Sequence, residues 1–161
     1  IRITSFYHFS ESKSYYLAWD IKTGKSTQYF WSPNDAKWES FEINLPANPL
    51  PGAKGNIMMD VEYCTKDQIA YYLVWDSKTG KSIQYFWSGQ QWDVMKINLP
   101  PNPLQGAVGD IGMKMYFDDK DFMGYYIVWD MSSGKSLQYF WNQEDVAWDV
   151  FDINLPANPI K

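Results

Sequence analysis

Three tryptophans, Trp38, Trp92 and Trp148, each precede an asparagine, Asn44, Asn98 and Asn154, by the same six positions. A flat indole near amide groups suits sugar recognition, because the C–H face of a sugar ring packs on the π surface while planar polar groups take its hydroxyls. Reaction chemistry has less to draw on. His8 is the only histidine, so any Ser-His-Asp or Cys-His nucleophile would have to use it. It stands between Tyr7 and Phe9, where a half-exposed strand residue is the expected role. Cys64 is the one cysteine, which excludes an internal disulfide and reads as a small strand-end residue. Neither a glycine-rich phosphate loop nor Cys/His metal spacing occurs. The run Asp118-Asp119-Lys120-Asp121 offers the oxygens calcium wants, but it has no counterpart elsewhere in the chain and reads as a polar turn. No catalytic residue, metal or cofactor is expected.

The composition narrows the partners. Of the 161 residues, 19% are aromatic, with nine Trp, twelve Tyr and nine Phe, so a substantial core can form and disorder is excluded. The net charge is −5, Arg2 is the only arginine and the lysines are scattered. Nucleic-acid phosphates need clustered cations, so a nucleic-acid partner is not expected. No apolar run approaches a membrane span and nothing resembles a signal peptide, so membrane insertion is not expected either. The chain opens on Ile1 rather than Met, consistent with an upstream segment removed or lying outside it.

The candidate residues are carried by a repeat. YYLAWDIKTGKSTQYFW (15–31), YYLVWDSKTGKSIQYFW (71–87) and YYIVWDMSSGKSLQYFW (125–141) are near-copies. They define one domain, 1–161, of three units: 1–55, 56–109 and 110–161. The single length change falls between paired tryptophans, seven positions apart at Trp31/Trp38 and Trp141/Trp148 but five at Trp87/Trp92. That marks a surface loop. Each unit reads as four short strands: an alternating opener such as IMMDVEY (57–63), the two arms of the aromatic hairpin, and a closer such as WDVMKINL (92–99). The proline-rich segments LPANPLPGAKG (45–55) and LPPNPLQGAVG (99–109) read as linkers.

Within the hairpin, Gly24, Gly80 and Gly134 suit a left-handed turn position. A three-residue loop, Lys78-Thr79-Gly80, would set Trp75 opposite Ile83, Leu73 opposite Tyr85 and Tyr71 opposite Trp87, placing all six on one face. A four-residue loop would pair Trp75 with Ser82 and mix the faces, so the three-residue register is the expectation. Both faces are rich in apolar residues, as in a sheet covered on both sides. The expected fold class is all-β: three tandem four-stranded antiparallel meanders in a pseudo-threefold, propeller-like arrangement, with a β-prism or β-trefoil as alternatives. A homodimer could close such a set into a six-bladed ring.

Strand, tight glycine turn, aromatic strand, Trp-bearing loop and Pro/Gly linker, as in YYLVWDSKTGKSIQYFWSGQQWDV (71–94), resemble the blades of fucose-binding β-propeller lectins. The resemblance implies a sugar held between neighbouring blades; the arginine used by that family has no counterpart in the quoted segments. The expected function is a non-enzymatic, multivalent carbohydrate-binding module. Its candidate ligand-binding residues are Trp38, Asn44, Trp92, Asn98, Trp148 and Asn154, and its partner a glycan or other small molecule. The alternative is a structural or protein-interaction scaffold that self-associates through its sheets.

Overall fold

A computed structural model describes residues 1–41, 44–95, 98–118, 123–142, 144–151 and 156. The chain is all-β and forms three separate four-stranded antiparallel meanders, with no barrel shared among them. Unit 1 holds β1 (Arg2–His8), β2 (Lys13–Trp19), β3 (Ser26–Ser32) and β4 (Lys37–Ser40). Unit 2 holds β5 (Ile57–Cys64), β6 (Ile69–Asp76), β7 (Ser82–Trp87) and β8 (Trp92–Val94). Unit 3 holds β9 (Ile111–Phe117), β10 (Gly124–Asp130), β11 (Ser136–Asn142) and β12 (Ala147–Val150). The first strands lie side by side, β1 near β5 and β5 near β9, so the sheets stack face against face like blades.

No unit contains a core of its own. One apolar cluster joins Leu17 and Trp19 of unit 1 to Met59, Val61 and Val74 of unit 2. The other joins Leu73 and Trp75 of unit 2 to Met113, Met115 and Val128 of unit 3. The middle sheet is therefore buried on both faces, which is why β6 reads as a continuous apolar run. The outer sheets are buried on one: β2 alternates Tyr15, Leu17 and Trp19 inward with the more open Tyr16 and Ala18.

The hairpin register differs by one residue from the sequence expectation. Trp75 pairs with Ser82, Leu73 with Gln84 and Tyr71 with Phe86. The loop has four residues, closed by Gly80 N–H to Asp76 O at 2.9 Å and by Asp76 N–H to Lys81 O at 2.9 Å. Gly80 is left-handed (φ +69°), but as the fourth loop residue rather than the third. Tyr72, Val74, Ile83, Tyr85 and Trp87 consequently share one face, and Tyr71, Leu73, Trp75, Ser82, Gln84 and Phe86 the other. Ser82 Oγ is buried on this mixed face without a partner among the described residues, but Gln84 is satisfied across the sheet gap: Tyr126 donates its hydroxyl to Gln84 Oε1 at 2.6 Å. Unit 1 repeats the bond, from Tyr72 to Gln28 Oε1 at 2.8 Å.

The linkers are structured parts of the stack. Leu50-Pro51-Gly52-Ala53 is a β-turn, Ala53 N–H bonding Leu50 O, with Gly52 at φ +79° in its third place. Leu50 and Leu104 are fully buried. Asp76 ties linker to hairpin, accepting the amides of Lys54 and Gly55 as well as Lys78 N–H and the Thr79 hydroxyl. Asp130 does the same with Val108, Gly109 and Ser132. Among the described residues Asp20 bonds its own turn alone, at Lys22 and Thr23.

Candidate functional site

The β3–β4 hairpin and its counterparts fix the tryptophans in pairs. Trp31 opposes Trp38, Trp87 opposes Trp92 and Trp141 opposes Trp148 in register. Each pair makes an edge-to-face contact with centroids 5.3–5.6 Å apart. The length change falls in the turn between them, so unit 2 keeps the same pair with a shorter loop. A tyrosine completes each set: Tyr16 on Trp38, Tyr72 on Trp92 and Tyr126 on Trp148, at 5.0–5.2 Å and nearly perpendicular.

These sets face backwards along the stack. Trp92 donates its indole N–H to Asn44 O at 2.6 Å, and Trp148 to Asn98 O at 2.7 Å. Trp92 and Trp148 thus reach the preceding unit, and they meet its asparagine through the main-chain carbonyl. The Asn98 side chain is occupied elsewhere, accepting from Gln84 N and donating to Met95 O. Asn44 Oδ1 is buried and without a partner. Trp38 has no such acceptor for its indole N–H among the described residues and is 55% exposed. Asn154 lies outside the described residues, as do Asp119, Lys120 and Asp121 of the acidic run.

Between each pair of sheets this leaves a cleft, of about 200 Å³ between units 1 and 2 and about 160 Å³ between units 2 and 3. Both are built from the same positions. Trp92 or Trp148 and Tyr72 or Tyr126 form one wall; Tyr15 or Tyr71 lies opposite, with Gln28 or Gln84 between them. A carboxylate holds the tyrosine of the second wall: Tyr15 donates to Glu11 Oε2, and Tyr71 to Asp67 Oδ2 at 2.9 Å. Burial, reinforced by these carboxylates, pushes the hydroxyls of Tyr15 and Tyr71 above the usual phenol range. Burial does the same to Tyr72 and Tyr126, against the opposing pull of their glutamine bonds. All four are neutral hydrogen-bonding groups at neutral pH.

Two donors remain available at the glutamines. Among the described residues Gln28 Nε2 has no hydrogen-bond partner, and Gln84 Nε2 reaches only the Met115 sulfur at 3.4 Å, a weak acceptor. The clefts therefore offer aromatic walls, amide donors and carboxylate acceptors in a space below the roughly 300–1,000 Å³ of drug-sized pockets. An occupant would be about one small ring. The glutamines recur in the sequence, but their facing a neighbouring unit follows from the one-residue register, which is why sequence reasoning placed the site on the tryptophans and asparagines alone.

His8 lines the first cleft, its ring tilted 38° against that of Tyr63 with centroids 4.2 Å apart. Ser10 Oγ lies 3.2 Å from its Nδ1, and its Nε2 is 3.6 Å from Glu11 Oε1. The corresponding positions of the second unit, Cys64, Lys66 and Asp67, carry no such set. Cys64 is buried, and burial, as the leading cause, pushes its thiol up and away from the reactive thiolate. Among the described residues no group of carboxylates, cysteines and histidine is spaced to hold a metal ion. Among the described residues no helix is long and apolar enough to cross a membrane. No protein-family model matches the chain, and no curated protein matches it in sequence.

Proposed function

We propose that the chain is a non-enzymatic, multivalent carbohydrate-binding module whose sites are the clefts between consecutive sheets. What supports the reading is the recurrence of one cleft at two places, with Trp92 and Trp148, Tyr15 and Tyr71, Gln28 and Gln84, and Glu11 and Asp67 in matching positions. Each cleft joins an aromatic surface for the C–H face of a sugar to an amide donor and a carboxylate acceptor for its hydroxyls. Trp92 and Trp148 keep their place in the proposed site through their ring faces, because their N–H groups serve the stacking. Asn44 and Asn98 contribute main-chain struts behind them. Sites this small bind weakly one at a time, and a repetitive glycan surface would raise the affinity by avidity.

Tryptophan fluorescence titrations with a panel of mono- and disaccharides at millimolar concentration test this. The expected result is a saturable change that falls by about half in Glu11→Gln or Asp67→Asn and disappears in the double variant. No response from any sugar, or a response indifferent to both substitutions, would overturn the proposal. The alternative reading, a scaffold that self-associates through its sheets, draws support from the two end faces.

A further inference from the structure

The two ends of the stack carry the two halves of the interface that the molecule already uses twice inside itself. The leading face of unit 2, packed on unit 1, and that of unit 3, packed on unit 2, bury the same positions. In unit 1 those positions are open to solvent. Ile3 is 66% exposed where its counterparts Met59 and Met113 are each 3%; Tyr16 is 36% exposed where Tyr72 and Tyr126 are each 4%. Ile1, Tyr29 and Trp38 follow the same pattern. The donors on this face, the Tyr16 and Tyr29 hydroxyls and the Trp38 N–H, have no acceptors among the described residues. Their counterparts donate across the gap to glutamine, to Pro49 or Pro103 O, and to Asn44 or Asn98 O.

The trailing face of unit 3 is the matching half. Tyr125, Ile127 and Trp129 are half-buried, whereas Tyr15, Leu17 and Trp19 of unit 1 are buried under unit 2. Trp19 and Trp75 donate their indole N–H to Ile57 O and Ile111 O of the next unit. Trp129 has no such acceptor among the described residues, and the position it would reach corresponds to Ile1 O. Gln138 uses Nε2 on the Tyr116 hydroxyl, leaving Oε1 for the role that Gln28 and Gln84 perform. Both faces keep large apolar side chains, unlike the polar outer face of a capping repeat. Only Ser5, Ala18 and Thr27 soften the leading face, in place of Val61, Val74 and Ile83.

We propose that the leading face of unit 1 (Ile3, Tyr16, Tyr29, Trp38) docks head-to-tail on the trailing face of unit 3 (Ile127, Trp129, Gln138) of a second copy of this chain. The contact continues the two internal interfaces, and the softened positions make it weaker than they are. The Tyr16–Trp38–Trp31 set is already in the conformation its buried counterparts adopt, so little ordering opposes docking. Docking also sets Trp38 and Tyr16 over Tyr125 and Gln138. That completes a cleft of the same kind as the other two, from residues of two chains. The role of that third cleft as a sugar site rests on the proposed function; the docking itself does not.

A head-to-tail contact joins two different faces, so it closes a ring or extends a chain. Sedimentation velocity over a concentration series tests it with Ile3→Lys on the leading face and Ile127→Lys on the trailing face, thermal melts confirming that each remains folded. The wild type should show twice the chain mass if the ring closes with two copies, or a mass rising steadily with concentration if it stays open. Each variant alone should be monomeric, and their equimolar mixture should form one heterodimer, since one intact pair of faces remains. A monomeric wild type at every concentration, a variant that assembles like the wild type, or a mixture that stays monomeric would overturn the proposal. None of these outcomes depends on sugar binding, and a protein that associates but ignores every sugar would retain this inference while losing the lectin reading.

Discussion

Gly80→Ala and Gly52→Ala differ in one physical respect, which makes them a test of how the linkers are held. Both glycines are left-handed, at φ +69° and +79°, so an alanine at either costs about 1–2 kcal/mol in backbone strain. A Cβ on Gly52 would meet nothing within 4 Å. A Cβ on Gly80 would stand 2.8 Å from Pro103 Cδ, 2.9 Å from its Cγ and 3.1 Å from Ile111 Cδ1. Carbon atoms in contact sit about 3.5–4.0 Å apart, so the proline ring or the turn must yield. Overpacking of this kind adds about 1–3 kcal/mol. Gly80→Ala should therefore cost about 2–5 kcal/mol and Gly52→Ala only the strain, a difference equivalent to roughly 2–12 °C in a domain of this size. Urea unfolding with an unchanged slope would measure both, and Pro103→Ala combined with Gly80→Ala should recover part of the excess. Equal losses at the two glycines within about 0.5 kcal/mol, or no coupling to Pro103, would refute the view that linker and turn are in hard contact.

Tyr126→Phe should lower stability at neutral pH by about 1–3 kcal/mol, because Gln84 Oε1 loses its donor while buried; an unchanged urea midpoint would contradict the bond's role. The same variant should flatten the alkaline limb of a stability–pH curve. Tyr72 and Tyr126 are held above the ordinary phenol value of about 10, so their contribution is complete below that pH and is lost as the unfolded chain ionises above it. On the acid side, the amides of Val108 and Ser132 draw Asp130 down to about 2. For Asp76 burial pushes upward but the bonds from Lys54, Lys78, Thr79 and Gly55 outweigh it. Both carboxylates stabilise the fold above the unfolded value of about 3.9, and the melting temperature should drop as pH falls from there towards 2. Asp130→Asn should shrink that drop; an identical acid profile would show that the linker ties carry no pH dependence.

The three units and their four strands were legible because period-two patterns and turn glycines are written locally; burial of both faces, expected of every hairpin, holds for the middle sheet alone. The register was not legible. A three- and a four-residue loop both place Gly80 left-handed, and the choice between them turned on whether Ser82 and Gln84 could share a face with Trp75. Judged within one hairpin that face looks mixed. Judged across the gap, Gln84 receives the Tyr126 hydroxyl, which answers the objection for Gln84, while Ser82 Oγ stays buried without a partner among the described residues. The candidate tryptophans met the same difficulty. Each was read with the asparagine of its own unit, but Trp92 bonds a carbonyl 48 residues earlier, at Asn44. Contacts between repeats are invisible to a reading that treats each copy alone.

That displacement also explains why the hairpin is copied so closely. The middle sheet is half of two cores and each outer sheet half of one, so a substitution on a buried face is felt by the unit packed against it. Tyr72 must fit Gln28, Trp92 must reach Asn44 and Tyr85 must reach Pro49 O, so the text of one unit is constrained by its neighbours as well as by its own strands. The loop between the paired tryptophans touches neither constraint, and it is the place where the copies differ in length. The clefts inherit the same logic. Their walls come from two units at once, so a cleft forms only where two sheets stack, and the number of clefts is the number of stacked pairs. Three units in one chain give two clefts. The aromatic set on the open face of unit 1, built like the others but with nothing yet against it, is the piece from which a further one could be made.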